Sequence, residues 1–362
     1  MIQFFCVVLL LLVSDVFTKT TSFSPSGCSG EWGDSACWSN GVPADHDSVL
    51  LTSCSPSSVT VSSDIFYLEL ASLQIGSESC AFDFNLGPAF LDVTDLHYYG
   101  GSFTGSAGVT SDNFIVSSAL PKVIATPLTA ATSTVFSHSS SSPAVVFFKN
   151  DGSLSAAGTV TVDSSIIFRY ADDHNYQAQS QPHFTSQAEI NIENDSDFLI
   201  EIPFSNQDEV HINSGLLKIS KAAALSANFM ITGTLIIDSD AEFGQGAALE
   251  GSGTFIITAN KKVDVRGLFA FDGDLDLLSS ASLDFHSTSR TRYFYPKFSE
   301  CGATVTWFFD SQLLLHGLSI KDSCNSFIIK AAAVWDPITN FNSFISLSGT
   351  SLFHFGSRQR GG

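Results

Sequence analysis

From Gly215 onward the chain repeats one short phrase. Gly215-Leu216-Leu217-Lys218-Ile219, Gly233-Thr234-Leu235-Ile236-Ile237, Gly253-Thr254-Phe255-Ile256-Ile257 and Gly273-Asp274-Leu275-Asp276-Leu277 all read Gly-x-apolar-x-apolar, with glycines 18, 20 and 20 residues apart. A second set runs between them: Ile190-Asn191-Ile192, Val210-His211-Ile212, Phe229-Met230-Ile231, Val263-Asp264-Val265 and Leu283-Asp284-Phe285. It steps by 20, 19, 34 and 20, and Ala247-Ala248-Leu249 fills the gap inside the step of 34. Gly158-Thr159-Val160-Thr161-Val162 has the same shape and stands 57 residues before Gly215, three steps of 19. Apolar residues at i and i+2 follow the period of a strand with one buried face. Turn residues such as Asn213-Ser214, Asp238-Ser239-Asp240 and Asp272-Gly273 fall between units, where the chain bends and often needs a positive φ.

One strand pair of this size cannot bury its apolar face alone, whereas a stack at a fixed period lets each coil cover the next. The repeat therefore predicts an all-β chain folded as a right-handed parallel β-helix, a β-solenoid of about 20 residues per coil. An antiparallel sandwich or barrel would also give many short strands, but without self-similarity at one period. The open ends of a solenoid need covers, and the cysteines cluster towards the ends. Cys28, Cys37, Cys54, Cys80, Cys301 and Cys324 allow 15 pairings, and their grouping favours Cys28 with Cys37, Cys54 with Cys80, and Cys301 with Cys324, giving disulfide-bearing terminal coils. Trp32 and Trp38 near one end, and Trp307 and Trp335 near the other, supply rings large enough to plug a core.

The stretch from Gly30-Glu31-Trp32 to Val49, with Trp38-Ser39-Asn40-Gly41-Val42-Pro43 and Asp47-Ser48-Val49, followed by Leu68-Glu69-Leu70 and Leu73-Gln74-Ile75, resembles the opening coils of secreted right-handed β-helix proteins. G8-type domains and the passenger repeats of bacterial autotransporters are of this kind. The resemblance covers about fifty residues. It implies extracellular adhesion to, or work on, glycans and cell surfaces; the further domains and activities of those families find no counterpart here.

Composition fits this picture. Charged residues make up only 14% of the chain, against about 25% in average globular proteins, and 56 Ser carry much of the polarity. The net charge of -20 repels phosphate backbones and anionic lipid, which excludes nucleic acid as a partner. An apolar run from Phe4 to Val13 has the length of a signal-peptide core and is too short to span a bilayer, so residues 1–20 read as a signal peptide, cleaved between Ser14 and Ser22. Residues 21–99 then form an N-terminal cap with the first coils, and residues 100–362 the solenoid body, with a Ser-rich stretch at 100–143 that reads as weak coils with one loop. No later segment reads as a transmembrane anchor, which makes the chain extracellular or associated with the cell surface. Asn194-Asp195-Ser196 is its one N-glycosylation sequon.

Motifs of the common hydrolases, nucleotide-binding proteins and zinc peptidases are missing. The most polar interruption, Arg169-Tyr170-Ala171-Asp172-Asp173-His174, offers Arg169, Asp172, Asp173 and His174 as the candidates for a polysaccharide lyase or glycoside hydrolase. Adjacent Asp side chains on a strand point to opposite faces, which favours a solvated loop instead. His286, Arg290, Arg292 and Tyr293 form a basic, aromatic segment in an acidic chain and are the candidate binding residues. Asp45-His46-Asp47 and Asp272-Gly273-Asp274-Leu275-Asp276 have metal-site composition, but turn formation and an outward Asp ladder account for them, so no metal and no cofactor is expected; calcium has no support from spacing. The functional expectation is a non-catalytic extracellular protein that binds glycans or cell-surface proteins, with the carbohydrate-cleaving enzyme as the alternative.

Overall fold

A computed structural model describes residues 18–24, 27–55, 57–171 and 183–286, and short segments beyond them between Arg290 and Phe355. The chain is a parallel β-solenoid with a 24-stranded sheet and a 12-stranded sheet; the latter takes one strand from each of twelve successive coils. Strand pairs in both sheets are parallel, as between Leu216–Ile219 and Thr234–Ile237. The helical content among the described residues is one 3-10 turn, Ser35–Cys37.

A middle coil shows how the sequence builds the cross-section. Strands Ser153–Ala156, Thr159–Val162 and Ile166–Tyr170 follow one another, and Leu154, Ala156, Val160, Val162, Ile166 and Phe168 all point inward and are fully buried. Inner positions stack on their counterparts one coil away. Leu217, Leu235, Phe255 and Leu275 form one such ladder on the smaller sheet. Phe rings fill several others: Phe168 packs against Phe136, Phe148, Phe184 and Phe198 with centroids 5.1 to 5.4 Å away. Burying rings in this way is the main favourable contribution to the stack.

The repeat read from the sequence belongs to two different sheets. The four glycine phrases from Gly215 to Gly273 do occupy the smaller sheet in register. Gly158 does not share their ladder, because Thr159–Val162 lies in the larger sheet and pairs with Ile190–Ile192. The second set also divides: Phe229 stacks on Leu249, whereas Val263 stacks on Ala241 and Leu283. Each later coil gives two strands to the larger sheet, and the step of 34 joined one of each.

In the early coils those two strands are one. Tyr67–Ile75, Phe90–Tyr98, Val109–Val116 and Pro127–Phe136 are 9, 9, 8 and 10 residues long and turn a corner in mid-strand. At each corner successive residues face outward and break the alternation: the pairs Ala71-Ser72, Thr94-Asp95 and Asp112-Asn113, and the three residues Ala131-Thr132-Ser133. One coil later Ala157-Gly158 separates the halves into two strands.

Large rings cover the N-terminal end, as the tryptophans lead one to expect. Trp32 and Trp38 meet edge to face at 4.9 Å, the Trp38 Nε1 donates to the Trp32 carbonyl at 2.8 Å, and Phe23 bridges Trp38 to Phe82. The disulfides Cys28–Cys37 and Cys54–Cys80 close this region, matching two of the three expected pairs. Cys301 and Cys324 lie outside the described residues.

Candidate functional site

The outer face of the smaller sheet carries an open groove of about 630 Å³ that runs across four coils. Its lining comes from strands Gly101–Thr104 and Lys122–Ala125 and from the residues that follow the next two strands: Ser102, Thr104 and Gly105, then Val123 and Ala125, then Lys149 and Asn150, and finally Ala171. Strand alternation places Val123 and Ala125 outward while Ile124 enters the core. Asn150, at φ 53, turns the chain at the groove edge. Next to Val123 in register stands Phe147, and next to Phe147 stands Arg169. The groove thus combines two hydroxyls, an amide and an ammonium with a small apolar floor.

Arg169 does not offer a free guanidinium to this face. It points outward and is bound through two nitrogens to Glu201, at 3.0 and 2.9 Å. Its neighbour Tyr170 takes the Lys221 ammonium over its ring at 4.2 Å. Asp172, Asp173 and His174 lie outside the described residues, as do Arg292 and Tyr293, and only the backbone of Arg290 is described, in strand Arg290–Thr291. His286 is half-buried and hydrogen-bonded to Asp264 Oδ1 at 2.6 Å. Of the metal-like triplet, Asp47 is buried and accepts from the backbone of Lys19 and Ala44, whereas His46 pairs with Glu69 at 3.2 Å. The sequon residue Asn194 is exposed in a turn at φ 56, while Ser196 is buried.

The larger sheet presents an outward row that spacing in the sequence does not reveal. Glu69, Asp92, Thr110, Thr129, Ser155, Thr185 and Ser205 are consecutive partners in register. Past an irregular step at Phe204–Asn206, where Ala224 pairs with Glu242 in register, the same face continues as Glu242, Asp264 and Asp284. Hydroxyls fill the middle of the row and carboxylates its ends. At the later end partial burial pushes Asp264 up, but hydrogen bonds from His286 and Lys262 outweigh it and hold the carboxyl below its ordinary value. At the early end Tyr67 and Phe90 stack on neighbouring coils, nearly parallel at 6.0 Å, and the Tyr67 hydroxyl donates to Asp92 at 3.1 Å. Partial removal from water raises the Tyr67 phenol, and the carboxylates of Asp92, Glu69 and Asp45 raise it further.

Lys122 enters the core at the first position of its strand, directly behind the groove. Its ammonium donates to the Ser118 and Leu120 carbonyls at 2.7 and 2.8 Å, and burial lowers its pKa to about 7. Tyr98, fully buried beside this strand, donates to the carbonyls of Gly101 and Val123, and the backbone amide of Val123 donates back to the same phenol. These bonds fix the strand whose outer side chains floor the groove.

Comparison with known protein families, with curated proteins and with solved structures returns no match to this chain.

Proposed function

We propose that this is a secreted, non-catalytic β-solenoid that holds glycan chains on its outer surface, with the groove of the smaller sheet as the contact. The lining carries the reading. Thr104 and Asn150 supply donors and acceptors matched to sugar hydroxyls, Ser102, whose hydroxyl donates to Asp83, supplies an acceptor, and Val123 and Ala125 supply apolar surface for the C–H faces of the rings, with Phe147 beside Val123 in register. A groove that crosses four coils suits an extended polymer, because it offers contacts along the length of a chain. Two disulfides support an oxidising compartment, and no helix among the described residues is long and apolar enough to cross a membrane. Modification of Asn194, exposed in its turn, belongs to the same reading.

The test is binding of the secreted chain to a panel of plant, microbial and animal oligosaccharides. Ala125→Trp fills the groove from its floor and Asn150→Ala removes its amide; each should weaken the best glycan by about tenfold or more. Binding unchanged in both variants would place glycan recognition elsewhere. Release of reducing or unsaturated ends, abolished by Asp172→Ala or Asp173→Ala, would replace this reading with the enzyme.

A further inference from the structure

The two acidic ends of the outward row differ in how their charge is answered. At the later end each carboxylate has a lysine or arginine from its own chain: Glu242 has Arg266 at 2.7 Å, Asp264 has Lys262 at 2.9 Å, and Asp284 has Lys262 at 3.3 Å. At the early end Glu69 and Asp92 are direct partners on adjacent coils, and Asp45 lies close enough to act on Tyr67. No Lys or Arg among the described residues pairs with Glu69 or Asp92; Glu69 has His46, and Asp92 has the Tyr67 hydroxyl. The lysine of this region, Lys19, is already bound to Asp47 and to the Val42 carbonyl. Like charges facing one another across a strand pair destabilise it.

The same corner carries exposed aromatic surface. Phe66 and Tyr67 are 71% and 50% exposed, and the other exposed large apolar side chain among the described residues, Met230, reaches only 38%. Ring faces and carboxylates attract the same ligand, a cation, and together they repel anions. The chain uses this chemistry internally where Lys221 lies over Tyr170. A net charge of -20 steers basic partners towards the surface over long range.

We propose that this corner docks a basic polypeptide, with a lysine or arginine side chain lying along Tyr67 and Phe90 and its charge held between Glu69 and Asp92. The partner would supply in trans the cation that Lys262 and Arg266 supply in cis at the other end. This surface is on the larger sheet and is independent of the groove.

Fluorescence anisotropy of a labelled lysine oligomer with the purified full chain tests the proposal. Glu69→Gln with Asp92→Asn keeps size and hydrogen bonding, and should weaken binding about tenfold. Asp112→Asn with Asp274→Asn removes the same charge from other exposed positions and should change it less than about twofold, as should the groove variant Ala125→Trp. Tyr67→Ala should match the loss in the carboxylate pair. Equal losses in both acid pairs would reduce the effect to net charge and overturn the proposal. So would binding of a neutral or amino-sugar oligomer, but not of the lysine oligomer, that depends on Tyr67. The carboxylate variant should melt no lower than the wild type, since a repulsion has been removed; a lower melting temperature would assign both acids to the fold and overturn the proposal as well.

Discussion

Lys122 is a lysine whose chemistry departs far from its ordinary state. Its ordinary value of 10.5 falls to about 7 through burial, so between these values the unfolded chain binds a proton that the folded chain releases. Stability must then rise with pH across that window and fall as pH drops towards 7, with a slope approaching about 1.4 kcal/mol per pH unit. Urea denaturation of wild type and Lys122→Met at several pH values between 7 and 10 should show this slope in the wild type and its loss in the variant. None of this is legible in the sequence. Pro121-Lys122-Val123-Ile124 gives no sign that the lysine occupies an inward strand position, because a charged residue at a strand start ordinarily reads as a solvated turn. Cys28, Cys37, Cys54 and Cys80, by contrast, were readable as pairs, since short loops fix their partners.

At the scale of the coil, the repeated glycines turn out to serve close approach more than left-handed backbone. Gly215 does have a positive φ of 77, but its successors in the repeat do not. A Cβ on Gly233 would stand 2.6 Å from the Gly215 carbonyl, one on Gly253 2.2 Å from the Gly233 carbonyl, and one on Gly273 2.1 Å from the Gly253 carbonyl. Glycine on glycine is what lets this corner close in the coils from Gly215 to Gly273. Gly253→Ala should therefore cost about 1–3 kcal/mol, whereas Gly246→Ala, with nothing near its Cβ, should stay within about 0.5 kcal/mol. Thermal melts of the two variants check the contrast. The phrase Gly-x-apolar-x-apolar is visible because the demand recurs over four consecutive coils. The assignment of strands to sheets was not, since strands of both sheets share the same alternation and only the pairing separates Val263 from Phe229.

At the scale of the molecule, the first strand constrains processing. Thr20–Ser22 pairs with Ser48–Leu50, and the Lys19 amide donates to Asp47. A mature chain that keeps these contacts begins at or before Lys19, inside the span from Ser14 to Ser22 where the sequence places cleavage. On the proposed reading of a secreted chain, N-terminal sequencing of the mature protein should find its first residue between Asp15 and Lys19; a start at Thr21 or later would mean that the cap forms without this edge. The candidate surfaces were less legible than the fold. Neighbours in the outward row from Glu69 to Thr185 stand 23, 18, 19, 26 and 30 residues apart, because coil length varies with the loops while register does not. A side chain on the outer face has no periodic partner to betray it.

That row also makes the solenoid a ruler. Parallel strands advance about 4.8 Å per coil. Asp92 and Glu242 stand seven register steps apart, with one irregular step among them, so the two acidic ends are held about 34 Å from each other. Deleting one whole coil would shorten this distance by a single increment while leaving both ends chemically intact. Evolution of such a chain can therefore change the spacing of its surfaces by counting coils, without redesigning either surface.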